Sequence, residues 1–255
     1  MPESSSAGRL GALVPGVDVP YEPALRPELA VDTRLEAPAT AVRSIVALAR
    51  QLGEPLGRRH GEPRAGWAIW ITGLPGSGKT TLAWSAAEAL AARSTPVRVL
   101  ELAEVHQALL DDSPASDTTR EIVHRALAYT AKLLTDAGVA VMVDATAPRR
   151  AWRQLARDLI THFAEVQLVC PYEICMARER ATRWGLGTEQ SAARCSRPAT
   201  AAPDIILDYE QALWPELTLH TDVQSPQGAL NELLRLAHRL QRVVTVEDYG
   251  RSTCR

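Results

Sequence analysis

The chain has 255 residues, a formal net charge of −2 and 46% hydrophobic residues. That length holds a full α/β core and a small appendage, and the balanced charge gives no electrostatic footing for nucleic acid or an anionic membrane surface. No apolar run approaches a bilayer span, the amino terminus does not read as a signal peptide, and Cys170, Cys175, Cys195 and Cys254 lack both metal-site and disulfide-framework spacing, which points to reduced thiols in a cytoplasm.

Residues 1–15 are polar and predict a disordered terminus. Residues 16–57 read as an extra segment with a short strand and a helix, and the breaker-rich stretch at 58–66 as a linker into one domain over 67–241. That domain opens with "WAIWIT" (67–72), the short apolar, β-branched and aromatic run that a buried strand needs. A glycine-rich turn follows, then "KTTLAWSAAEALAAR" (79–93), an alanine- and leucine-rich helix. Next come a strand at 97–101, a helix near 102–110, a long helix near 117–137 and a strand at 139–144. A helix from about Pro148, a strand at 166–170 and a helix over 172–183 continue the pattern. Phe163 falls at a predicted helix end. An irregular stretch at 184–203 precedes a closing strand and helix, and 242–255 reads as a frayed polar tail. Strands alternating with helices imply an α/β fold with a doubly wound parallel sheet that binds ligands at the strands' carboxyl ends.

The glycine-rich turn carries the clearest chemistry. Gly73, four residues and then Gly78-Lys79-Thr80 match the phosphate-binding loop G-x-x-x-x-G-K-[ST]. With a strand before and a helix after, Gly73, Gly76, Ser77, Gly78, Lys79, Thr80 and Thr81 are expected to bind ATP, backbone N–H groups facing the phosphates. Lys79 is one of two lysines in a chain that otherwise uses arginine. A compact ammonium enters a narrow loop that a planar fork would not. Asp144 ends the apolar strand "VAVMV", where an acid beside such a loop holds Mg²⁺ together with Thr80.

The chain also repeats itself. Residues 21–52 align without a gap to 209–240, with thirteen of 32 positions identical, including Tyr21/Tyr209, Pro27/Pro215, Thr33/Thr221 and Pro38/Pro226. Each copy reads as a tyrosine-led loop, a short strand and a proline-started amphipathic helix. Two distant copies do not make a solenoid. The first is either a loosely tethered relic or a segment that docks on this chain or on its twin in a homodimer.

From about Trp67 to Leu240 the chain resembles the adenylylsulfate kinases. "IWITGLPGSGKTTLA" looks like the family's opening strand and loop, and "YEQALWPELTLHT" is similar to its closing Tyr-Glu…Pro-Glu-Leu…Thr segment. The resemblance implies a P-loop NTPase/kinase fold and transfer of the γ-phosphoryl group of ATP to a hydroxyl of a small molecule. The family's acidic base after the second strand becomes "ELAEVH" (101–106), which leaves Glu101 as the expected base and Glu104 as the reserve. Arg120 and Arg125 match two arginines of the family's R-x-E-N-I-R-R helix, and Pro148 and Arg150 remain of its Phe-Ile-Ser-Pro-x-Arg. Arg178, Arg180 and Arg183 precede the segment where such kinases carry a lid, and would neutralise charge on the transferred group.

The acceptor side departs from the family. Ala115 aligns with one of its two adenine-sandwiching aromatics, and "LLDDSPASD" (110–117) places Asp111 where the family has an arginine, with Asp112 and Asp117 close by. Acids in that loop favour a cationic acceptor, an aminated sugar or aminocyclitol, over an anionic sulfate ester. Adenylylsulfate itself is the alternative, and a nucleotide-binding regulatory module without an acceptor site is the alternative outside enzymes.

Overall fold

The computed structural model describes residues 24–32, 34–52, 65–110, 116–183 and 209–252. The chain divides into two compact units, Met1–His60 and Gly61–Arg255.

In the first unit, α1 (Pro38–Leu52) starts on a proline, whose missing N–H costs nothing in a first turn. Its apolar residues Val42, Ile45 and Val46 are exposed. Residues 24–32 contain no strand, contrary to the expectation for the first repeat copy. A lone strand without a neighbouring edge has nothing to complete its ladder. Tyr21 and Thr33 lie outside the described residues.

The second unit is built on five parallel strands in the order β2-β3-β1-β4-β5. They are β1 (Ala68–Gly73), β2 (Val97–Glu101), β3 (Ala140–Asp144), β4 (Phe163–Val169) and β5 (Leu217–His220). β1 and β3 are buried along their whole length, as central parallel strands covered on both faces must be. Ile69, Ile71, Met142, Val166 and Leu219 pack on one face against α2 (Lys79–Ala91) and the last helix, α7 (Pro226–Ser252). Ala68, Trp70, Val141 and Val143 pack on the other against α4 (Asp117–Asp136) and α5 (Arg150–Leu159). α3 (Leu102–Leu109) follows β2, and α6 (Tyr172–Arg183) follows β4. Among the described residues no helix is long and apolar enough to cross a membrane.

Three boundaries differ from the sequence expectation. Phe163 begins β4 rather than ending a helix, its backbone paired in register with Ala68 of β1. Gly66 belongs to the body and not to a linker: it is buried, its N–H donates to the Thr135 carbonyl at 2.7 Å, and a Cβ there would meet the Val139 carbonyl oxygen at 2.2 Å. Residues 242–252 continue α7, with Val244 buried against the core, so a domain limit at 241 falls inside a helix.

The segment leading into β5 clasps the sheet. The Glu216 carboxylate accepts from both Arg157 nitrogens at 2.6 and 2.8 Å and from the Glu165 N–H at 2.6 Å. The Tyr209 hydroxyl lies 3.2 Å from Thr72 Oγ1, and Thr221 donates its hydroxyl to the Ser77 carbonyl at 2.9 Å. The clasp therefore ends on the glycine-rich loop itself. Each of these tail side chains has an identical counterpart in the first copy: Tyr21, Glu28 and Thr33.

Candidate active site

The parallel order places the carboxyl ends of β1, β2 and β3 side by side, and the site grows from those ends. After β1 the chain turns through Gly73–Gly78 into α2. Gly76 adopts φ 77°, and a Cβ there would meet the Cys175 carbonyl oxygen at 2.3 Å, so α6 closes on the loop too tightly for any side chain. Ser77 is buried, and its Oγ has no partner among the described residues. Thr81 sits exposed on the first turn of α2.

Lys79 is buried and curls back over the loop, donating to the Gly73 and Leu74 carbonyls at 3.1 and 2.9 Å. Burial pulls its ammonium below the usual lysine range, and the charge of Asp144 opposes that pull. Thr80 donates its hydroxyl to Asp144 Oδ2 at 2.5 Å. Burial holds the Asp144 carboxyl above the usual carboxylate range, against the opposing effects of Lys79 and Thr80. A buried acid and hydroxyl in contact beside a phosphate loop suit a hard cation that completes its shell with phosphate oxygens.

Glu101 pairs in register with Asp144, one strand over. Its Oε1 accepts from Trp84 Nε1 of α2 at 2.7 Å. Trp84 is not among the residues singled out from the sequence. The available clue was that a half-buried indole N–H seeks an acceptor and Glu101 is the acid where the neighbouring strand ends. Glu104, the reserve base, is exposed on α3.

The remaining predicted residues separate. Arg150 serves the clasp: its backbone N–H donates to Glu210 Oε2 at 2.7 Å and its Nε lies 3.6 Å from the same carboxylate. Arg178 does likewise, donating to the Thr221 carbonyl at 2.7 Å. Arg180 is exposed, and Arg183 closes α6. Arg125 pairs with Glu121 on the exposed side of α4. Pro148 is buried, and its carbonyl accepts from the Glu210 N–H at 2.8 Å. Asp111, Asp112, Ala115 and the segment 184–203 lie outside the described residues.

Asp117 is spent on arginine. Its carboxylate meets Arg149 Nη2 at 2.9 Å and Arg120 Nη1 at 3.5 Å. Arg120 keeps a buried Nε–H with no partner among the described residues. Of the three acids noted in this loop only Asp117 is described, and two guanidinium groups stand around its carboxylate.

Arg153 was missed altogether. Fully buried on α5, it donates to Glu165 at 2.6 Å, to the Ala147 carbonyl at 2.5 Å and to the Glu210 carbonyl at 2.6 Å. Ala147 is held at φ 38°, a left-handed conformation costing roughly 1–2 kcal/mol in a non-glycine residue. Arg153 thus fixes the turn after Asp144 and the tail segment together. An arginine on a helix reads as solvated by default, and nothing in the local sequence sets this one apart.

A phosphate loop, a strand-end acid touching its threonine and a β2-β3-β1-β4-β5 parallel sheet define a P-loop kinase. The family model for adenylylsulphate kinase matches residues 65–190. An adenylyl-sulfate kinase of Synechococcus sp. (strain JA-3-3Ab) is 36% identical over 167 residues, 64% of this chain and 88% of the relative. One from Thermodesulfovibrio yellowstonii is 31% identical over 180 residues, 70% of this chain and 86% of the relative. The structure of the Mycobacterium tuberculosis APS kinase CysC in complex with AMPPNP and APS superposes with a TM-score of 0.55 at 26% identity, covering 69% of this chain and 99% of that one. The chain belongs to the adenylylsulfate kinase family, and it is an ATP-dependent phosphotransferase with a hydroxyl as acceptor.

Proposed function

We propose that this kinase phosphorylates adenylylsulfate, giving 3'-phosphoadenylylsulfate and ADP, and that it acts in the cytoplasm. The observation that carries the acceptor is the Arg149–Asp117–Arg120 cluster: the described carboxylate is already neutralised, and an unfilled buried N–H of Arg120 favours an anion. The relatives named above support the same acceptor. An aminated acceptor rests on Asp111 and Asp112 alone.

In this reading the loop from Gly73 to Thr81 cradles the phosphates and Lys79 exchanges its two carbonyl partners for phosphate oxygens. Thr80 and Asp144 would hold Mg²⁺, which when bound neutralises charge on the phosphates. Glu101 takes the proton of the acceptor hydroxyl as that oxygen bonds to the γ-phosphorus and ADP leaves. Trp84 keeps the Glu101 carboxylate aimed. Arg178 is within reach of the loop through Thr221 and stabilises the transferred group.

The test is direct. Purified protein, ATP and Mg²⁺ are incubated with adenylylsulfate or with a panel of aminated sugars, and products are resolved by mass. Turnover of adenylylsulfate, slowed by added sulfate, is the expected result. Turnover confined to an amine-bearing acceptor would reverse the assignment in favour of Asp111 and Asp112.

A further inference from the structure

On the acceptor side of the strand ends three flat groups lie in layers. The His124 ring of α4 stacks on the Trp152 ring of α5, with centroids 4.1 Å apart and planes inclined by 23°. The Arg149 guanidinium also lies over the Trp152 ring, its carbon 5.4 Å from the ring centroid. Asp117 grips that guanidinium through Nη2 at 2.9 Å. The stack is closed below and open above: His124 is 4% and Trp152 7% exposed, while the Arg149 side chain is 44% exposed. Of the three groups, the guanidinium is the one that solvent or a ligand can reach.

Two features make this more than a surface cation. A free arginine side chain samples many rotamers, but this one is held by an ion pair and by a ring already locked against a second ring. It is also in the right place. Arg149 lies in the turn that follows Asp144, and Asp117 starts the helix that follows the acceptor loop. Guanidinium planes stack on nucleobases much as aromatic rings do.

We infer that Arg149 is a specificity-determining residue, a guanidinium shelf on which the planar purine of the acceptor stacks, with Trp152 and His124 as its backing and Asp117 as its clamp. The inference rests on adenylylsulfate being the acceptor and adds what recognises its base. A shelf demands a plane, whereas electrostatic attraction for the sulfate or phosphate demands only a charge, so the two roles separate by substitution.

The experiment compares the unsubstituted protein with Arg149→Ala, Arg149→Lys and Arg149→Trp in steady-state kinetics, varying adenylylsulfate and ATP in turn. Arg149→Ala and Arg149→Lys should both raise the KM for adenylylsulfate by roughly 5- to 150-fold, the range for losing one stacking partner of a base. Arg149→Trp should restore it, and the KM for ATP should stay put in all three. A wild-type KM in Arg149→Lys would overturn the shelf in favour of simple charge, as would an adenylylsulfate KM indifferent to all three substitutions. Adenosine 5'-phosphate as a competitive inhibitor gives a readout without the sulfate, and its inhibition constant should move in step with that KM. Turnover with an Arg149-independent KM refutes the shelf alone; no turnover by the unsubstituted protein refutes the acceptor assignment and the shelf with it.

Discussion

Glu101 is the residue on which the proposed chemistry turns, and its replacement by glutamine is the most informative single change. The glutamine keeps the shape and can still meet Trp84 Nε1, which now stands 2.7 Å from the carboxylate. Only the ability to take a proton is lost. Removing a general base lowers turnover by roughly 10²- to 10⁴-fold. At about 1.4 kcal/mol per decade, that is roughly 3–5 kcal/mol of transition-state stabilisation. Nucleotide affinity should hardly change, because Lys79, Thr80 and Asp144 are one or more strands away from the substitution. Trp84→Phe removes the aim without touching the acid. A hydrogen bond to a charged group contributes about 1.5–3 kcal/mol, so a tenfold or somewhat larger fall in kcat is expected, again with the KM for ATP unchanged. Stopped flow with a coupled ADP readout measures kcat, and a fluorescent nucleotide analogue measures affinity. Full activity in Glu101→Gln would refute the role, and a dead Glu104→Gln beside it would move the base to α3.

Three further outcomes follow from the same geometry. Lys79→Ala should abolish phosphoryl transfer, and Lys79→Arg should be nearly as damaging, because a forked guanidinium cannot occupy the buried place where the ammonium contacts Gly73 and Leu74; calorimetric ATP titration and steady-state rates of both variants check this. Asp144→Asn should weaken the Mg²⁺ dependence of nucleotide binding, read as a rise in the Mg²⁺ concentration needed for half-maximal activity. His124, whose burial holds its imidazole down at about 4, stays neutral in the fold while the unfolded chain takes up a proton as pH falls below the usual histidine value near 6.5. Stability should therefore fall between pH 6.5 and 4, by roughly 3 kcal/mol from this residue, and urea titrations of His124→Phe should show a curve flatter by about that amount.

How much of this was legible in the sequence depends on whether a property is local. The loop Gly73–Thr81, the strand before it and the helix after it follow from spacing and residue type within about twenty positions, and the structure realises them. Asp144 was legible because a buried apolar run that ends in an acid marks a strand end. Glu101 was legible only as a candidate, since its register opposite Asp144 comes from β2-β3 pairing. Phe163 was misplaced because His162 and Phe163 continue an apolar pattern that serves a helix end or a strand start equally well. Parallel pairing with Ala68 settles it, and that is a contact across nearly a hundred residues. Arg153 was illegible for the same reason, since its partners come from other elements, and for Trp84 the only clue was the need of its indole N–H for an acceptor.

Charge is where local reading misleads most. Three aspartates between 111 and 117 make a loop look acidic, yet the potential that an acceptor meets is set after pairing. Asp117 is drawn to Arg149, which arrives from the turn beyond β3, and to Arg120, one turn along its own helix. Ion pairs this exposed contribute only about 0.2–1 kcal/mol each, but they decide which charges stand together and therefore the local sign. The sign of a site is thus a tertiary property even when every charge is visible in the sequence. Asp117, visible in the sequence as one more acid of that loop, stands in the fold as the partner of two arginines.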